Sequence, residues 1–171
     1  MPLIKNGALA ENLFADVADG AALPDGPAVV SLIRFLAERE TLLARNTPLG
    51  VRLKSEESPA ALGEDAARLS LIVLEFPKFR DGRAFSWARM LRTRLGFRGE
   101  IRAAGDFLYD QIAAMTRVGF DGFEVPEKIT PELFRRALGE MRFVYQPSAD
   151  GRKTIREMRE ANFLPSKRRT L

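Results

Sequence analysis

The sequence Leu-Ile-Val-Leu-Glu-Phe at residues 71–76 is the most strand-like part of this chain. Its first four residues are apolar without alternation, which is typical of a strand covered on both faces. Pro77 then ends the backbone ladder because it has no N–H to donate. An amphipathic helix is predicted over 85–95, with its apolar residues on one side. A buried strand followed by such a helix is the unit of a parallel α/β sheet.

The same alternation continues on both sides of this unit. Further strands are predicted at 28–32, 50–54, 100–104 and 122–125, with helices over 33–44, 58–69, 107–118 and from Thr130, and a final strand candidate at 143–145. The fold class is therefore α/β, with about five successive βα units forming a parallel sheet. Five units do not close an eight-stranded barrel. An open doubly wound sheet and a partial, barrel-like array both remain open.

The chain has 171 residues, a length that suits a single domain. We divide it into an irregular N-terminal arm (1–26), the α/β domain (27–147) and a basic C-terminal extension (148–171). Within the extension, residues 150–162 are predicted to be partly helical and residues 165–171 to form a loose tail.

Cysteine and histidine are both absent from the sequence. Disulfides, nucleophile–histidine pairs and the usual ligand sets of zinc, copper and iron–sulfur centres are therefore excluded. No cofactor is evident, because neither a phosphate loop nor a dinucleotide fingerprint occurs, although flavin or nicotinamide binding stays open. No secretion signal and no apolar run of about 20 residues is present, so we expect a cytoplasmic protein with no membrane contact.

The net charge of +4 is unevenly distributed. Residues 78–102 contain eight basic side chains against two acidic ones, and residues 151–171 contain seven against two. Such asymmetry indicates either an anionic partner or arginine-rich helix faces in water, the second being the more common. Nucleic acid is an unlikely partner, since the net charge is modest and no recognition motif appears.

In a parallel α/β sheet, ligands bind at the carboxyl ends of the strands. The loop Arg80-Asp81-Gly82-Arg83 follows the clearest strand there and precedes a helix. Guanidinium groups and helix N-termini both favour anions. The alternative is an Asp-Gly turn flanked by arginines in water.

Other candidates follow the next strands. Gly105 lets a ligand or a neighbouring backbone approach, and Asp106 either caps a helix or binds a ligand hydroxyl. Arg102 lies within a strand and needs a partner, for which Glu75, Asp106 and Glu124 are candidates. Glu75 and Glu124 would suit acid–base work or Mg²⁺, but any α/β domain supplies carboxylates at this edge, so we assign no metal site and no catalytic residue. The predicted ligand pocket consists of Arg80, Asp81, Gly82, Arg83, Arg102, Gly105, Asp106, Asp110 and Glu124.

One series of motifs carries a family resemblance. It comprises Phe76–Ser86, Ala88–Arg92, Gly99–Asp106, Asp110-Gln111 and Gly119–Glu124. The series resembles an uncharacterised bacterial family, domain of unknown function 934, over about residues 27–124. Many relatives have a cysteine where this chain has Val118, which argues against a necessary thiol at that point.

Members of that family are typically encoded beside assimilatory sulfite reductase and are often labelled as oxidoreductases of sulfite reduction. The resemblance implies a role in sulfur assimilation, with sulfite reductase or its electron donor as the partner. No catalytic residues are established for the family, so none is transferred. Because the chain lacks its own redox groups, we expect an accessory role. An oxyanion- or nucleotide-cofactor-binding enzyme is the alternative, and whether the chain is an enzyme stays open.

Overall fold

The computed structural model describes residues 1–141 and 143–163. Eight strands form one sheet in the order β2-β1-β8-β7-β6-β5-β4-β3. Strands β3 to β8 pair in parallel, whereas β1 pairs antiparallel with both β8 and β2. The sheet curls into a half-barrel. The strands are β1 (Leu3–Lys5), β2 (Ala8–Ala10), β3 (Ala15–Asp16), β4 (Ala28–Ser31), β5 (Leu49–Leu53), β6 (Leu71–Phe76), β7 (Glu100–Gly105) and β8 (Gly122–Glu124).

The prediction of an α/β fold is confirmed, and of the two arrangements left open the sheet has the partial, barrel-like one. The predicted strand count and the purely parallel pairing are wrong. The three additional strands all lie within 1–26, a segment we expected to be irregular. They contain only two or three residues each, too few to show a period-2 pattern. The candidate strand at 143–145 does not form.

The helices follow the predicted starts closely. They are α1 (Leu32–Ala37), α2 (Arg39–Leu43), α3 (Arg83–Thr93), α4 (Ile112–Val118), α5 (Pro131–Glu140) and α6 (Ile155–Phe163). The helix expected over 33–44 is divided at Glu38, and the one expected over 107–118 begins with a 3₁₀ turn, Tyr109–Gln111. The segment Pro59–Arg68 is 3₁₀ rather than α-helical and kinks at Gly63.

One face of the sheet carries the main apolar core. Alternate strand residues such as Val51, Ile72 and Ile101 are fully buried there against the helices. Six phenylalanines continue this core towards β8 through edge-to-face and tilted ring contacts. Such alternation is expected when one face of a strand is packed against helices.

The opposite face of the sheet is crossed by the short segment that connects β2 to β3. Residues 11–14 connect β2 at one edge of the sheet to β3 at the other. Fully extended, such a link spans at most about 18 Å, whereas the outer strands of a flat eight-stranded sheet would lie about 33 Å apart. The link therefore requires the sheet to curl, and it crosses the concave face. We call residues 11–16 the strap.

The concave face has a small apolar centre. Phe14 of the strap packs on Val29, Leu71, Val73 and Ala104. Because paired residues in neighbouring strands point to the same side, the charged residues Arg52 and Arg102 lie on this face as well. This arrangement positions the charged cluster described below.

Near the C-terminus, α6 falls inside the segment predicted to be partly helical. The predicted loose tail at 165–171 lies outside the described residues, and the division into three segments stays a prediction. Every helix among the described residues is too short or too polar to cross a membrane.

Candidate functional site

The loop after β6 is organised by an internal ion pair. The Asp81 carboxylate accepts hydrogen bonds from Arg83 Nε (2.9 Å), Arg83 Nη2 (2.7 Å) and the Arg83 backbone N–H (3.2 Å). Arg83 Nη2 also donates to Ser55 Oγ at 2.9 Å. The hydrogen bond from Arg83 holds the pKa of Asp81 well below its usual range and raises the pKa of Arg83 in turn. The charges of Asp81 and Arg83 are thus satisfied within the chain.

The turn after β7 lies directly against this loop. Asp106 Oδ2 accepts from the Phe79 N–H (3.3 Å), and the Asp106 N–H donates to Phe76 O (2.7 Å). Gln111 Nε2 donates to Phe79 O at 2.9 Å. Asp106 therefore does not cap the following helix as one alternative expected; it fastens two loops at the same edge of the sheet.

Gly105 is required by a close backbone approach. Its φ is +102°, and a Cβ built on it would lie 2.3 Å from Phe76 O. Two reasons for a glycine were predicted here, the approach of a ligand or of a neighbouring backbone, and the structure shows the second. Gly82, by contrast, has open space around it.

Arg80 and Asp110 both face solvent at this edge. The Arg80 guanidinium lies 5.3 Å from the centre of the Phe79 ring, a cation–π contact, and it forms no salt bridge with any described residue. Asp110 belongs to the 3₁₀ turn Tyr109–Gln111 and is exposed.

Arg102 and Glu124 belong to a different surface, the concave face. Arg102 is 1 % exposed. Its Nε donates to Glu100 Oε1 (2.8 Å), and its Nη1 donates to Asn12 Oδ1 (2.9 Å) and Glu124 Oε1 (3.4 Å). The Phe14 ring lies 6.0 Å from the guanidinium carbon. Glu124, one of three predicted partners, is confirmed in contact, while Glu100 and Asn12 were not expected.

Arg52 extends this cluster along the same face. Arg52 Nη2 donates to Asp16 Oδ1 (2.7 Å) and Oδ2 (2.9 Å). Arg52 Nη1 lies 3.5 Å from Glu75 Oε1, and Nη2 lies 4.0 Å from Glu124 Oε1. Burial opposes its charge, but the hydrogen bond to Asp16 and the neighbouring carboxylates together outweigh burial and raise the pKa of Arg52. Glu75 and Glu124 therefore share one arginine, and no group of described residues is arranged to hold a metal ion.

The predicted single pocket is divided into two sites. Arg80, Asp81, Arg83, Gly105 and Asp106 gather at the carboxyl edge, as expected for loops that follow parallel strands. Arg102 and Glu124 point from within their strands to the concave face instead. Whether any of these residues binds a ligand stays a prediction.

Several residues of these sites were missed. Asn12, Phe14 and Asp16 lie in the arm, where the sequence shows only weak periodicity. Arg52 was the detectable case, because a charged residue inside an apolar strand, as at Arg102, needs a partner. The contact between Trp87 and Ser55 was not predicted either; Trp87 Nε1 donates to Ser55 O at 2.9 Å.

The outer side of α3 is the third feature of interest. Residues 78–98 contain seven basic side chains and one acidic one. Arg83 and Arg92 are paired internally, with Asp81 and Asp121. The remaining cations form no salt bridge with any described residue and are exposed: Lys78, Arg80, Arg89, Arg94 and Arg98.

Five surface cavities of about 330 to 440 Å³ lie away from the carboxyl-edge loops. Arg80, Asp81, Arg83 and Asp106 line none of these five. One shallow depression, of about 440 Å³, lies on the outer side of α3 and is lined by Ser86, Arg89, Met90, Thr93 and Arg94.

Residues 50–156 match the model of a family described as bacterial protein of unknown function, DUF934. No curated protein is detectably similar to the chain. The matched segment includes β5 to β8, α3 to α5 and both loops of the carboxyl edge, and it covers more than half of the sequence. The chain therefore belongs to the bacterial DUF934 family.

Proposed function

We propose that this protein is an accessory protein of assimilatory sulfite reduction, which acts by binding sulfite reductase or its electron donor. The observation that supports binding over catalysis is the state of the arginines. Arg83 and Arg102, the two best candidates for holding an oxyanion, are each paired with carboxylates of the same chain. A small anion would have to displace those carboxylates to bind.

The outer side of α3 is the proposed docking surface. Its cations, which form no salt bridge with described residues, extend from Lys78 and Arg80 in the loop before the helix to Arg94 and Arg98 after its last turn. A helix of 11 residues is about 16 Å long, so the basic stripe is long enough for a protein contact. The partner surface is therefore expected to be acidic, since complementary charge steers association.

Charge reversal on this stripe tests the proposal. We expect the variant R80E/R89E/R94E to lose co-purification with sulfite reductase or its donor from native cytoplasm, with affinity reduced at least tenfold. Its melting temperature should stay within a few degrees of the native value, because exposed unpaired cations contribute little to stability. Pull-down followed by titration against the captured protein measures both quantities.

Lys128→Glu is the matched control. Lys128 is exposed, forms no salt bridge with described residues and lies outside α3. It should bind the partner like the native chain. The proposal is wrong if the reductase shows unchanged assembly and turnover in cells that lack this protein.

An oxyanion- or nucleotide-binding enzyme remains the alternative. Arg80 and Lys78 favour it, because they are cationic, lie at the carboxyl edge and form no salt bridge within the described part of the chain. Both are exposed rather than enclosed, which favours a weak, salt-sensitive contact. Calorimetry with sulfite, a sulfonucleotide and a flavin nucleotide, together with an absorbance spectrum of the purified protein, tests this alternative: a colourless protein that binds none of these ligands would exclude it.

A further inference from the structure

The strap (residues 11–16) presents three side chains to the concave face at alternate positions. Asn12 accepts a hydrogen bond from Arg102, and Phe14 packs on the apolar centre. Both carboxylate oxygens of Asp16 accept hydrogen bonds from Arg52. The residue between Asn12 and Phe14, Leu13, is 65 % exposed. Alternate residues of an extended chain lie about 7 Å apart on one side, so the strap binds as an extended peptide would.

We propose that the concave face is a peptide-binding groove, which the strap occupies in the free protein and vacates for a partner segment of the same chemistry. The expected ligand is an extended acidic segment with an aromatic residue two positions before a carboxylate. This groove is separate from the basic stripe on α3 and does not depend on the proposed docking function.

The strap is held mainly by these side chains. Residues 11–14 belong to no strand, and the backbone anchors nearest to them are the bonds from Ala15 N to Pro27 O (3.0 Å) and Val17 N to Val29 O (2.9 Å). Five of the six strap residues are exposed, and Phe14 is only partly buried. Few buried contacts are typical of a segment that opens locally.

Opening of the strap would remove the Asp16 carboxylate from the groove, and the charges that remain determine which ligand fits. With Asp16 withdrawn, the groove keeps three cations and three carboxylates: Lys5, Arg52 and Arg102 against Glu75, Glu100 and Glu124. Arg52 Nε and Nη2 would lose their closest acceptor. A ligand that returns one carboxylate restores that pair, whereas a multiply charged phosphate would face the three carboxylates.

The groove also has free space beside the strap. A cavity of about 350 Å³ lies beside β3, at the end of the strap, and β4. It is lined by Asp16, Ala18, Ser31, Arg52 and three valines. A partner segment could therefore meet Arg52 before the strap has left completely.

A labelled peptide that copies residues 11–17 tests the groove directly. We expect saturable fluorescence-anisotropy binding to the full-length variant N12G/F14G/D16G, at least tenfold tighter than to the native chain, where the strap competes. Substituting Phe14→Ala and Asp16→Asn within the peptide should reduce that binding at least tenfold. Adding Arg52→Gln to the variant should do the same.

Equal binding to native chain and variant, no binding to either, or binding that ignores the peptide substitutions would each overturn the proposal. Hydrogen exchange on the native chain covers the case in which the glycine variant fails to fold. The Ala15 and Val17 amides should exchange by local opening, at least a hundredfold faster than the Val73 amide in β6. If all three exchange together, the strap does not open and the groove is not accessible.

Discussion

At the scale of single residues, glycines of the chain differ sharply in what they do. Gly105 has a positive φ, and a Cβ added to it would lie 2.3 Å from Phe76 O, so a side chain cannot be accommodated without moving the backbone. Gly139 lies near the end of α5, and a Cβ added there would have no neighbouring atom within 4 Å. The first is fixed by the packing of two strand ends, and the second is a surface position.

We therefore expect Gly105→Ala to lower the free energy of unfolding by about 2 to 4 kcal/mol, from backbone strain plus steric overlap. Gly139→Ala should raise it by about 0.5 to 1 kcal/mol, because alanine favours the helix. Urea denaturation of both variants measures the two values. A Gly105→Ala variant as stable as the native chain would show that the turn after β7 is not constrained as described.

At the scale of elements, the start of α3 is organised by Asp81. Its carboxylate accepts from the backbone and side chain of Arg83, which depresses the pKa of Asp81 below its ordinary value of 3.8. A carboxylate with a depressed pKa stabilises the folded chain above its unfolded pKa and loses that contribution as the pH falls through the folded pKa.

The variant Asp81→Asn should accordingly be less stable than the native chain at pH 7, and equally so down to about pH 4. Below that pH the difference should shrink, because Asp81 then takes up a proton when the native chain unfolds, which favours the unfolded state. Thermal unfolding of both proteins between pH 7 and pH 2 follows this difference. Asp110→Asn, at an exposed carboxylate of the same edge, should be as stable as the native chain at pH 7; a constant gap for Asp81→Asn down to pH 2 would contradict the assignment.

The elements were largely predictable, and the reason is local. Apolar runs and helix starts such as Ser58-Pro59 and Thr130-Pro131 depend on neighbouring residues, and both hydroxyls accept the expected backbone N–H groups. The strands of the arm were not predictable, because β1 is defined by its pairing with β8, more than 110 residues away. The division of the predicted pocket into two sites has the same kind of cause. Asp106 follows its strand and lies at the carboxyl edge. Arg102 lies inside that strand and points to a face that is concave only because the sheet curls.

At the scale of the whole molecule, the charged cluster of the concave face connects distant parts of the chain. Arg102 alone joins β7, β8 and the strap through Glu100, Glu124 and Asn12. Removing one partner of a buried ion pair leaves the others uncompensated, which is far more costly than removing an exposed pair.

Arg102→Met should therefore lower the free energy of unfolding by about 3 to 5 kcal/mol. Arg156→Met, which breaks the exposed i,i+4 pair with Glu160, should change it by about 0.5 kcal/mol or less. Urea unfolding followed by the Trp87 fluorescence measures both. A loss for Arg102→Met as small as that for Arg156→Met would mean that the cluster does not hold the sheet together.

The pairing of β1 with β8 has a consequence for the order in which the chain assembles. Leu3–Lys5 is translated more than 110 residues before Gly122–Glu124, the strand with which it pairs in the sheet. Loop closure over so long a separation is slow, and a hydrophobic strand with an open edge is prone to associate with other chains. The hairpin of β1 and β2 therefore stays unattached until β8 has been synthesised, and its pairing with β8 completes the sheet.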